Sequence, residues 1–217
     1  MTDSINTVNT MGNICTKSTA SNESNNNGHF FHEIKKNIQN GISINPQTSS
    51  LGNIPHDEFT KFQLSGLTLK CKVLHIYNGD TCDVGFELYG VALQRRLRLR
   101  WINTEEIRQS TKLVQEVREQ RKQNAIYAKY RLVEMLTGSK PTDDTECKQF
   151  INATPKDIWV KFYDDDNFSR SVSEIYLDDK FKTSVHELMI KEGHSELFDK
   201  YENKTDIANI KIQLHLT

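Results

Sequence analysis

No run of this 217-residue sequence approaches the roughly 20 apolar residues that a bilayer-spanning helix requires. Its start, Met1-Thr2-Asp3-Ser4, lacks the basic and apolar regions of a secretory signal. Without such a signal, the Asn-x-Ser/Thr matches at Asn22 and Asn203 read as chance in an Asn-rich sequence. The four cysteines, Cys15, Cys71, Cys82 and Cys147, show neither paired metal-ligand spacing nor the density of a disulfide scaffold. A Cys71–Cys82 bridge between neighbouring strands is conceivable, but a reduced, intracellular chain is the expectation. An excess of one charge is also missing. The chain has 28 Lys and Arg against 29 Asp and Glu, and residues 1–62 hold four and five of these, leaving 24 of each beyond. That balance excludes a global basic field. Affinity for an anion then depends on a local patch such as Arg95, Arg96, Arg98 and Arg100, and suits transient substrate binding rather than coating of nucleic acid.

Residues 1–28 are dominated by Asn, Ser and Thr. Such a segment cannot bury enough apolar surface to offset its ordering entropy, so a disordered tail is predicted. Phe30, Phe31, Ile34 and Ile38 lie near helical spacing, which predicts a short helix near 29–40. Gly41 to His56, with Pro46 and Pro55, reads as linker, so residues 1–62 form a tail and 63–217 a folded domain. Within the domain, strands are predicted at Leu67–Tyr77, Thr81–Leu88 and Leu93–Ile102, with Tyr89-Gly90 as the hairpin between the second and third. Gln115–Leu136 reads as a long helix with an apolar stripe of Val117, Ala125, Ala128, Leu132 and Met135, stopped by Gly138. Ser139–Lys156 reads as a polar loop, and Asp157–Tyr163 with Arg170–Leu177 as a second hairpin. Ser184 is placed to cap a helix over Val185–Lys191. Ile210, Ile212, Leu214 and Leu216 alternate, which favours a closing strand. Five short strands with a helix between the third and fourth give an α+β fold, mainly β, built on a five-stranded OB-type barrel.

Chemistry concentrates in Leu97-Arg98-Leu99-Arg100-Trp101-Ile102-Asn103-Thr104-Glu105-Glu106, read with Asn78-Gly79-Asp80-Thr81 and Arg170. On an extended strand Leu97, Leu99 and Trp101 share one face, while Arg96, Arg98 and Arg100 share the other. Phosphodiester hydrolysis needs an activated water and stabilised charge on the phosphoryl oxygens. Arginine binds phosphate as a planar fork that stays charged, so Arg98 and Arg170 are candidate phosphate clamps. Glu106 is a candidate general base. Asp80, Asn103 and the carbonyl of Thr104 are candidate oxygen ligands for a hard divalent cation. Taken singly, each element has a structural explanation: a turn, a solvated sheet face, a loop and a surface hairpin.

Their order is more specific. The stretch from Leu69 to Tyr201 resembles the staphylococcal nuclease family. That family's pattern is a D-G-D-T turn, an R-x-x-x-x-D-T-P-E strand end, a Y-G-R hairpin and a helix ending in x-x-G. Here the counterparts are Gly79-Asp80-Thr81, then Arg98 with Thr104 and Glu106, then Phe168-Ser169-Arg170, and a helix ending at Gly193. The resemblance implies a nuclease that cleaves DNA or RNA, leaves a 3′-phosphate and acts as a monomer. It also implies Ca²⁺, or Mg²⁺ or another divalent cation, at Asp80, Asn103 and the Thr104 carbonyl. Glu106 would be the base, Arg98 and Arg170 the phosphate ligands, and Phe168 and Tyr201 substrate contacts; Arg100, from the arginine patch, is a further candidate substrate contact. The sequence departs from the pattern where Asn78 and Asn103 stand in place of Asp and Glu105 in place of Pro. Loss of a charged ligand predicts weak or altered metal dependence. The alternative is an OB-fold module that binds nucleic acid or protein without turnover.

One motif lies apart from these. Met11-Gly12-Asn13-Ile14-Cys15-Thr16 matches an N-myristoylation pattern, with Cys15 beside it for palmitoylation. A membrane becomes a partner only if Gly12 becomes the N-terminus.

Overall fold

The computed structural model describes residue Pro55, residue Asp57 and residues 62–153, 155–198 and 204–214. Apart from Pro55, Asp57 and Phe62, the expected tail lies outside the described residues, as do the helix near 29–40, Gly12, Cys15 and Tyr201.

Strands β1 (Thr68–Asn78), β2 (Thr81–Leu88) and β3 (Val91–Leu99) form an antiparallel meander. Tyr89 and Gly90 both have positive φ, 55° and 76°. Two such residues in succession make the turn whose twist matches the strands it joins, so the β2–β3 hairpin is tight. The short β4 (Ile102–Asn103) follows, then helix α1 (Gln115–Thr137). Gly138, in the left-handed conformation at φ 84°, ends α1 and donates its N–H to the Glu134 carbonyl. Next come α2 (Asp144–Ala153), β5 (Asp157–Asp165) and β6 (Ser171–Tyr176). Ser184 caps α3 (Val185–Lys191) by accepting from the Glu187 N–H. The two-residue β7 (Glu196–Leu197) pairs with β4, and α4 (Lys204–Leu214) ends the described chain.

Strand order β1-β2-β3-β6-β5 closes on itself through β1–β5 pairing. Only β3 and β6 run parallel. The result is an α+β fold consistent with an OB-type barrel. Alternate residues of the strands fill it: Val73, Cys82, Val84, Leu97, Leu99, Val160, Phe162 and Ile175 are all buried. Ala125, Ala128, Leu132 and Met135 of α1 are buried as the apolar stripe requires, whereas Val117 is exposed. The free cysteines Cys71, Cys82 and Cys147 are buried. Burial pushes the Cys71 thiol up to about 12, so it stays protonated at neutral pH. Among the described residues, no helix is long and apolar enough to cross a membrane.

Three expectations change. Ser139–Lys156 is not all loop, because it contains α2. Asp143 accepts from the backbone N–H groups of Thr145 and Glu146, and Glu146 accepts from that of Thr142, so the D-x-x-E signature is a helix cap. Strand β3 stops at Leu99 rather than Ile102. Trp101, at φ 70°, breaks the extended chain and turns its ring out of the main core. It packs instead with Ile210 in a small second cluster, beside Ile190 and Leu197. Finally, 204–214 is a helix and not a strand. The alternation counted Ile212, which is 73% exposed; Ile207, Ile210 and Leu214 also stand at helical spacing, and Ile210 is buried.

Candidate functional site

The β2–β3–β6 register assembles the site. Thr81 on β2 stands opposite Arg98 on β3, and Arg98 stands opposite Val172 on β6. Arg170, two positions before Val172, falls on the same side of the extended chain. Asp80, Arg98 and Arg170 thus meet at one end of three adjacent strands. They line a cavity of about 550 Å³ together with Asn103, Glu106 and Phe168. Of the expected site residues, Arg100 also borders this cavity. Thr104 is not among its lining residues and is tied to the site by donating its N–H to Asp80.

Asp80 is buried, and both its oxygens are engaged. Oδ1 accepts from Thr81 Oγ1 at 2.9 Å, and Oδ2 accepts from the Thr104 N–H at 3.1 Å. Arg98 Nη1 lies 3.2 Å from the same Oδ2. Arg98 also donates to the carbonyls of Leu99 and Ile102, at 3.0 and 2.8 Å, and through Nη2 to Asn103 Oδ1 at 3.2 Å. Burial lowers the pKa of Arg98 from its ordinary value, against the opposing pull of Asp80; the Arg170 charge lowers it further. It remains a cation at any pH near neutrality.

Arg170 is held by Asp166. Its Nε donates to Asp166 Oδ2 at 2.7 Å, and Nη2 lies 2.7 Å from the same oxygen. Asp166 Oδ1 accepts the backbone N–H groups of Phe168 and Arg170, each at 2.9 Å. Burial acts to raise the Asp166 carboxyl, but these bonds and the Arg170 charge prevail and hold it below its ordinary value. Each clamp arginine also faces a ring at 5.5 Å: Phe198 for Arg98, Phe168 for Arg170. Phe168 is 81% exposed, as a stacking platform at a cavity mouth would be. Glu106 is exposed at that mouth.

Arg100 borders the cavity while its guanidinium is engaged by rings and carboxylates. Its guanidinium lies 4.4 Å from the Trp101 ring and 4.0 Å from the Tyr163 ring, with Glu174 at 3.6 Å and Asp206 of α4 at 3.8 Å. These contacts tie α4 to the barrel. The other strand arginines have carboxylate partners too: Arg95 pairs with Asp165, and Arg96 with Asp83 at 2.9 Å. The expected basic patch is therefore locally neutralised.

Ca²⁺ takes about six to eight oxygens, water included, and its affinity rises with the number of charged ligands. Here one carboxylate, Asp80, has both oxygens engaged, and the Asn103 oxygen accepts from Arg98. Thr104 Oγ1 is buried without a partner, but it is a single neutral hydroxyl. Among the described residues no three His, Cys, Asp or Glu side chains gather as metal ligands would. This donor set does not fit a resident Ca²⁺.

Phe198, Asp166, Tyr163 and Val172 border the cavity without having been singled out in the sequence. Asp166 had a signal, an Asp four residues before an Arg at a turn. Phe198 had none, because it arrives through the β4–β7 pairing and a bond from its N–H to the Trp101 carbonyl at 2.7 Å.

No protein-family model matches the chain, and no curated protein is significantly similar to it.

Gly79 fixes the position of Asp80. A Cβ there would lie 2.7 Å from both Ala128 Cβ of α1 and Thr104 Cγ2. Gly79→Ala is expected to cost about 1–3 kcal/mol through overpacking and to displace the Asp80 turn. Ala128→Gly in the same chain should recover part of that loss in urea denaturation, because it removes one of the two clashing carbons.

Proposed function

We propose that this protein is a nuclease that hydrolyses phosphodiester bonds of DNA or RNA. The observation carrying this reading is the convergence of Arg98, Arg170 and Glu106 on one cavity from three separate segments. The two guanidinium groups bind the non-bridging oxygens of a phosphate and stabilise the charge that develops as phosphorus becomes five-coordinate. The Glu106 carboxylate takes a proton from water as the water oxygen bonds to phosphorus. The bond from phosphorus to the 5′-oxygen breaks, and that oxygen takes a proton from solvent. The products are a 3′-phosphate and a 5′-hydroxyl. Phe168 and Phe198 offer faces on which a base or sugar rests. The partner is then a nucleic acid strand met by a single copy of the chain.

The second reading, an OB-fold binding module without turnover, is favoured by Asn103, which brings a neutral amide where the resembled family carries a charge. Incubation of the full chain with single-stranded DNA and RNA, with Ca²⁺, Mg²⁺ or chelator, separates the two. Cleavage with 3′-phosphate ends, reduced on the order of a hundredfold in Glu106→Gln, is the expected result. Binding without cleavage under every condition would leave the module reading in its place.

A further inference from the structure

We propose that the Arg98 guanidinium is itself the resident counter-cation of the Asp80–Asn103 acceptor pair, so that the cavity binds phosphate with no divalent cation in the complex. The choice of phosphodiester as ligand rests on the nuclease reading above; the cation assignment stands on geometry alone.

Four oxygens surround this guanidinium: Asp80 Oδ2, Asn103 Oδ1 and the carbonyls of Leu99 and Ile102, all at 2.8–3.2 Å. One is charged and three are neutral, which balances a single positive charge. Placing a divalent ion among the same oxygens would set two positive charges beside Arg98. It would also displace Arg98 from Asp80, which is 3% exposed, and leave that largely buried guanidinium without its carboxylate. Arg170 lines the same cavity and adds a further positive charge there. On the hairpin side, Asp166 is bound by Arg170 and by two backbone N–H groups, and Asp165 by Arg95.

The same bonding leaves Arg98 able to work. Nη1 makes the contacts to Asp80, Leu99 and Ile102, and Nη2 makes one to Asn103. Among the described residues none engages the Nε–H or the second Nη2–H, which remain for an incoming oxygen on an edge oriented by three hydrogen-bond acceptors and the Asp80 ion pair. Preorganisation of this kind removes the reorganisation cost of binding an anion. A calcium ion in such a cavity would compete with Arg98 rather than assist it.

Two measurements on the full chain test this. In the first, fluorescence anisotropy follows binding of a labelled single-stranded oligonucleotide at constant ionic strength with Ca²⁺, with Mg²⁺ and with chelator. The expected dissociation constants agree within about threefold. Tightening by about tenfold or more with Ca²⁺ would overturn the proposal. In the second, Ca²⁺ alone is titrated calorimetrically into wild type, Arg98→Gln and Asp80→Asn. No saturable binding to wild type is expected, and Arg98→Gln should gain it by freeing Asp80. Saturable wild-type binding that disappears in Asp80→Asn would overturn the assignment even if no oligonucleotide binds. Absence of oligonucleotide binding in all conditions, with no calcium binding either, would sink the nuclease reading but leave Arg98 as the counter-cation.

Discussion

Arg98→Ala is expected to lose both turnover and a large share of the domain's stability. Arg98 contacts the buried Asp80 carboxylate at 3.2 Å and donates to two backbone carbonyls. Removing it strands a buried charge, a change that typically costs about 3–5 kcal/mol. Phosphodiester cleavage should fall on the order of a hundredfold or more, because charge on the phosphoryl oxygens loses one of its two clamps. The two losses can be separated. Arg98→Met with Asp80→Asn removes the charge together with its partner and should regain stability in urea unfolding while cleavage stays lost. Equal recovery of both would mean that Arg98 acts on structure only.

A comparable effect is expected at Glu174→Ala. Glu174 is buried on β6, accepting from Trp101 Nε1 at 2.7 Å and from the Tyr176 hydroxyl at 2.8 Å, with Arg100 at 3.6 Å. Its loss leaves a half-buried arginine with weaker compensation and the Trp101 N–H unpaired, a cost on the order of 3–5 kcal/mol. The same network gives a pH signature. Burial lowers the pKa of His186 below its ordinary 6.5, against the pull of Glu174 and Glu187, and Arg100 lowers it further. Between those two pKa values the unfolded chain binds a proton that the folded one resists, so stability is complete above pH 6.5 and falls as the pH drops below it. For Glu174, burial acts to raise the pKa, but bonds from Trp101 and Tyr176 and the charge of His186 hold it below 4.5. Its contribution is therefore present above pH 4.5 and lost below. Urea midpoints measured against pH should show a first decline below 6.5, missing in His186→Asn, and a second below 4.5.

Local patterning carried much of the fold. The β2–β3 hairpin, α1 with its Gly138 stop, and the Ser184-capped α3 follow from turn chemistry, period and caps. Trp101 and 204–214 did not, because tertiary packing decided them. Trp101 continues the alternation of Leu97 and Leu99, yet its left-handed backbone puts it against Ile210. In 204–214, two periodicities fit the same apolar residues, and in the helix Ile210 packs with Trp101. The site divides in the same way. Asp80, Arg98, Asn103, Glu106, Phe168 and Arg170 were legible as an ordered set of motifs, and they share one cavity. What each arginine binds was not legible. Spacing says nothing of Asp166 lying under Arg170, of Arg100 turning into a ring-lined slot, or of Phe198 arriving over Arg98.

The parallel pairing of β3 with β6 carries a consequence for how the protein is made. Leu97–Leu99 must find Ser171–Ser173 across the whole of α1, α2 and β5. A contact so distant along the chain forms against a large loop-closure entropy and belongs to the slow, late part of folding. The two clamp arginines lie on either side of that seam. A nascent chain that has released the meander but not yet β6 therefore holds one wall of the cavity that Arg98 and Arg170 share, and the cavity comes into being only when the barrel shuts.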